Sequence, residues 1–119
     1  MFKNPDLRIR TKQFALRIIR MYGALPTTTQ AQVLGKQVLR SGTSVAANYR
    51  EACRARSDAE LISKLGIVSQ ELDESLLWLE LLVESGIFSE ARLRDLIGEC
   101  EELLKMTVTA IKRTKSRKS

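Results

Sequence analysis

Histidine is missing from this chain of 119 residues. Without an imidazole, the hydroxyls of Ser41, Thr43 and Ser44 have no ordinary base to activate them. The Glu-x-x-His pairs of di-metal helical bundles are excluded as well. The two cysteines, Cys53 and Cys100, lie far apart with no Cys-x-x-Cys spacing, which leaves too few ligands for a zinc site within one chain. We expect two small buried hydrophobes there, not a disulfide. The acidic cluster Glu71, Asp73 and Glu74 lacks a partner type that would make it a metal or acid-base centre, and no glycine-rich phosphate loop of recognised spacing occurs. The expectation is a protein that is not an enzyme and needs neither metal nor cofactor. Aromatic residues make up only 5% of the chain. Phe2, Tyr22 and Tyr49 are the candidates for stacking on bases, so reading of single strands has little support. No apolar run approaches the roughly 18 residues that span a bilayer, and Met1 to Asp6 lack the apolar centre of a secretory signal. A cytoplasmic protein with no membrane partner is expected.

What the chain does have is charge, unevenly placed. The net charge is +6. Residues 1–56 hold 11 basic and 2 acidic side chains, residues 57–104 hold 3 and 12, and residues 105–119 hold 6 and none. This asymmetry implies a basic surface built by the first half and the tail, set against an acidic one.

Helical spacing dominates the pattern, and the length suits a single domain, residues 1–119. Leu7, Phe14, Ile18 and Met21 share one side of a helix over about 6–22, with arginines outside. Gly23 and Pro26 stop it. Thr27 followed by Gln30 reads as a capping box before a second helix over about 29–56. In that helix Val38, Ser41, Val45, Asn48, Ala52 and Ala55 form a seam of small and polar members that another helix can approach closely. Gly42 costs about 1 kcal/mol relative to alanine in a helix, so close packing or a break at that point is required. Ser57-Asp58-Ala59-Glu60 opens a third helix over about 58–85, striped by Leu61, Leu65, Val68, Leu72, Leu79 and Leu82. From Leu76 to Val83 every residue but Glu80 is large and apolar, more than one buried stripe needs; a surface buried between subunits would use the excess. Gly86 and Ser89 then punctuate the start of a fourth helix over about 89–112, and residues 113–119 read as a fraying basic tail. Short connections between long helices give an all-α, up-down-up-down antiparallel four-helix bundle. Across the second and third helices we expect a structural polar network of Arg40, Ser44, Asn48 and Glu71.

The run from Leu39 through Arg40-Ser41-Gly42-Thr43-Ser44-Val45-Ala46-Ala47-Asn48-Tyr49-Arg50-Glu51 to Ala52, then Arg56-Ser57-Asp58, then Gln70-Glu71-Leu72-Asp73-Glu74, resembles the bacterial four-helix bundle proteins encoded in 23S ribosomal RNA intervening sequences. Those proteins are similar in turn to the accessory variability determinants of diversity-generating retroelements, which form pentameric barrels, bind nucleic acid and associate with a reverse transcriptase. The resemblance implies a homopentamer. It departs from the family pattern where Ala52 follows Glu51 in place of glycine, and where the first helix has no tryptophan.

The candidate contacts to phosphate are Arg8, Arg10, Lys12, Arg17 and Arg20 on the first helix, Arg50, Arg54 and Arg56 at the end of the second, and Lys112, Arg113 and Lys115 near the C-terminus. The functional expectation is an oligomeric helical protein that binds RNA or DNA through this surface, as an accessory to a reverse transcriptase or another nucleic-acid enzyme. The alternative is an oligomeric protein scaffold with no nucleic-acid role.

Overall fold

Residues 5–117 are described by a computed structural model, and they form four antiparallel helices. These are α1 (Pro5–Gly23), α2 (Thr29–Cys53), α3 (Asp58–Glu84) and α4 (Glu90–Ser116). Each packs on its neighbours in the chain, and α1 also meets α4, giving the up-down bundle, 50 × 20 × 19 Å in extent.

The caps follow from local chemistry. Thr28, not Thr27, is the N-cap of α2, accepting from the Ala31 amide at 3.3 Å. Gln32 explains the shift, because it ties the approach to the helix from inside: its amide nitrogen donates to the Pro26 carbonyl and its oxygen accepts from Tyr22 Oη. Ser57 caps α3 through the Glu60 amide at 3.1 Å, and Ser89 caps α4 through the Arg92 amide at 3.3 Å. Between α3 and α4, Gly86 has φ of 82°, and the bonds Ile87 N to Leu82 O and Gly86 N to Val83 O complete a glycine-terminated helix end.

Two boundaries differ from the sequence expectation. α2 ends at Cys53 instead of continuing to Arg56, because the chain tightens through Arg54 N to Glu51 O and Ala55 N to Ala52 O and must then become extended at Ser57. α4 does not fray at residue 113. It runs to Ser116, since Thr114 is buried and bonded to the Ala110 carbonyl, and Arg117 pairs with Asp58 at 2.8 Å. Basic side chains are also favourable in a last helical turn. Of the expected tail, residues 118 and 119 lie outside the described residues, as does Phe2.

Leu7, Phe14, Ile18 and Met21 of α1 and the full expected stripe of α3 are buried, and Leu93, Leu96, Cys100 and Leu103 join them from α4. In α2 the seam holds Tyr49, fully buried, where Asn48 was expected; Asn48 and Ala55 are half-buried. α2 is unbroken at Gly42. A β-carbon there would come within 2.8 Å of Ile18 Cγ1, and one at Gly35 would collide with Leu25 Cδ1 and meet the Tyr22 ring at 3.0 Å. Gly35 and Gly42 therefore serve the approach of α1 and the loop that follows it.

The buried Cys100 thiol donates to the Leu72 carbonyl at 3.3 Å, and its pKa is pushed up to about 12 by burial and then by surrounding carboxylates, Glu101 first. Cys53 is half-buried. Iodoacetamide at pH 8 should add one label to the native chain, at Cys53, and reach Cys100 only on unfolding; peptide mass spectrometry reads both positions.

Candidate nucleic-acid interface

The antiparallel register places each charged side chain along the bundle. Ile18 against Gly42 sets α1 on α2, Ser41 Oγ to Ser75 Oγ at 2.8 Å sets α2 on α3, Cys100 to Leu72 sets α4 on α3, and Arg10 to Glu99 sets α1 on α4. The N-terminus of α1, the C-terminus of α2, the start of α3 and the C-terminus of α4 thus share one end. Arg8 is ten residues before Ile18 and Arg54 twelve beyond Gly42; at ~1.5 Å per residue they lie about 15 and 18 Å from that contact in the same direction.

Cutting each helix near its middle makes the charge pattern axial. The end formed by residues 6–14, 41–71 and 103–117 holds twelve basic and five acidic side chains, while the opposite end, residues 15–40 and 72–102, holds six and nine. Arg8, Lys12, Arg50, Arg54, Arg56, Lys112, Arg113 and Lys115 are exposed at the first end, and none has an ion-pair partner among the described residues. They form two groups, one where α1 meets α2 and one on α4. Lys105, which the sequence reading passed over, joins the α4 group. In sequence it stands alone between Leu104 and Met106, and only its position on the folded helix marks it.

Three of the expected contacts fall elsewhere. Arg10 is not a free cation: it forks onto Glu99, Nε to Oε2 at 3.0 Å and Nη2 to Oε1 at 2.7 Å, with Asp6 at 3.6 Å. The Glu99 hydrogen bond, the larger cause, holds its guanidinium above the ordinary value. Arg17 and Arg20 sit at the opposite end, in a groove shared with Arg92. Because the Arg10 fork is half-buried where α1 and α4 pack thinly, Arg10→Ala should cost about 1 to 3 kcal/mol in urea unfolding while leaving the exposed cations of this end in place. Tyr49 is closed to stacking by burial, and Tyr22 is half-buried and committed to Gln32.

The expected polar network divides in two. Arg40 bridges Glu71 at 3.3 Å and Glu74 at 2.8 Å, and Glu71 raises the Arg40 pKa. Asn48 Nδ2 donates instead to the Ser44 carbonyl one turn back, at 2.9 Å, so neither Ser44 nor Asn48 reaches Glu71. This local bond satisfies the amide without crossing the interface. The buried pair that does cross it is Ser41 with Ser75. Glu71 Oε1 and Trp78 Nε1 are buried without a partner among the described residues.

The fold and its charges define a class: a four-helix bundle in which ion pairs such as Arg10–Glu99 and Arg40–Glu71 link neighbouring helices, while most of the unpaired cations lie at one end. The chain belongs to the 23S rRNA-intervening sequence protein family, whose pattern matches residues 5–109. It is also similar, at 36% identity and a TM-score of 0.84, to a solved protein of unknown function from the S23 ribosomal protein family of Bacteroides thetaiotaomicron; the alignment covers 89% of this chain and 98% of that one. A comparison with curated proteins finds no match. No helix among the described residues is long and apolar enough to cross a membrane.

Proposed function

We propose that this protein is a non-enzymatic, self-associating helical protein that binds RNA or DNA through its basic end. The supporting observation is the gathering there of exposed cations without ion-pair partners, which contact phosphates with little sequence preference. A homopentamer serving a reverse transcriptase or another nucleic-acid enzyme is the fuller form of the proposal; it rests on the family resemblance and on exposed Leu77 and Leu81, which suit burial between subunits. The rival is a protein scaffold whose arginines are only solvated.

The family's name makes a structured RNA the first probe, with a DNA duplex beside it. Purified full-length protein should bind at least one of them in the presence of competitor nucleic acid, with log affinity falling linearly in log salt. Absence of binding to both near physiological salt would leave the scaffold reading in its place.

A further inference from the structure

The fold leaves two surfaces whose charges are complementary. One is a groove of about 310 Å³ between α1 and α4, floored by Met21, Phe88, Leu93 and Leu96 and rimmed by Arg17, Arg20 and Arg92. Among the described residues none of these three guanidiniums meets a carboxylate; Arg92 lies instead over the Phe88 ring, 4.8 Å from its centre. The other surface is the outer face of α3. Leu77 and Leu81 are 47% and 36% exposed there, Leu77 lining a shallow hollow with Asp73 and Glu80, and the helical period sets Asp73, Glu80 and Glu84 beside them, exposed and without ion pairs among the described residues. One surface is apolar with cations around it, the other apolar with anions around it.

Position decides how they can meet. α3 packs on α2 and α4, whereas the groove opens between α1 and α4, so the outer α3 face and the groove point away from each other and cannot touch within one chain. Both nevertheless lie at the same height. The α3 face lies in the C-terminal half of α3, the α4 side of the groove occupies the first turns after the Gly86 turn, and the antiparallel α1 brings Arg17 to Ala24 to that level. A head-to-tail contact between different patches makes an open fibre when each copy is displaced along an axis, and a closed ring when the operation is rotation alone. Equal heights favour rotation.

We infer that the outer α3 face of one copy packs on the α1–α4 groove of the next, in the closed ring that the family resemblance implies. This rests on the self-association in the proposed function and assigns the surfaces that make it. Every basic end then lies on the same rim of the ring, so phosphate contacts from several copies add along one strand.

Native mass spectrometry of the full chain at micromolar concentration tests it, with circular dichroism confirming that each variant is folded. Wild-type protein should be a discrete oligomer. Arg17→Glu with Arg20→Glu should be monomeric, as should Asp73→Arg with Glu80→Arg, because each sets like charges across the contact. One chain carrying all four changes should regain the wild-type mass, since every interface is then reversed on both sides. A monomeric wild type would overturn self-association itself. A wild-type oligomer left intact by either pair of reversals, or a four-fold variant that stays monomeric, would overturn the assignment of surfaces alone.

Discussion

Gly42→Leu is expected to cost about 3 kcal/mol, the upper end of what overpacking does in a core, and Gly42→Ala about 1 kcal/mol after the gain in helix propensity is set against the collision. The sign for alanine is decided by what its β-carbon would meet. Ile18 Cγ1, Cγ2 and Cβ stand at 2.8, 3.1 and 3.3 Å from that position. Ile18 is fully buried and its β-branched side chain has one strongly preferred rotamer in a helix, so it has no direction in which to turn away; α1 must move instead. Gly66 and Gly98, also inside helices, have nothing within 4 Å of the same position. Alanine at either should raise stability by about 1 kcal/mol. Urea unfolding followed by circular dichroism separates the cases, and a Gly42→Ala protein as stabilised as Gly66→Ala would mean that α1 does not approach α2 this closely.

Reversing Arg8, Arg50 and Arg54 together to glutamate should lower affinity for the nucleic acid about a hundredfold or more and reduce the slope of log affinity against log salt by nearly three, at ~0.9 per phosphate contact on a duplex. These residues are exposed and support no ion pair among the described residues, so the fold should persist. Arg10→Ala is the informative contrast, because its guanidinium already belongs to Glu99; it should weaken the bundle and leave the salt slope unchanged. If the triple reversal binds as well as the native protein, the α1–α2 cluster is not the contact surface.

The four helices were legible because their periods and caps are local properties: the α3 stripe from Leu61 to Leu82 and the Ser57, Gly86 and Ser89 signals all appear where the sequence puts them. The end of α4 was not, since its basic composition argues for fraying until tertiary contacts bury Thr114 and engage Arg117 with a residue 59 positions away. The same limit applies to the basic residues. Arg10 and Arg8 look alike in sequence, and only the register of α1 on α4 commits one to Glu99 and leaves the other exposed. Val38, Ser41, Val45 and Ala52 of the expected α2 seam are buried, yet between Val45 and Ala52 it is Tyr49 and not Asn48 that fills the buried position, since steps of three or four residues both fit the helical period there.

The charge pattern also governs how the molecule meets a partner in space. Positive and negative ends separated along a 50 Å axis make each protomer an electric dipole, which a polyanion's field would turn to point its basic tip inward before contact. In the nucleic-acid contact proposed above, what arrives first is a tip some 20 by 19 Å across and not the long flank; at ~3.4 Å per base pair such a tip spans about six pairs of a duplex.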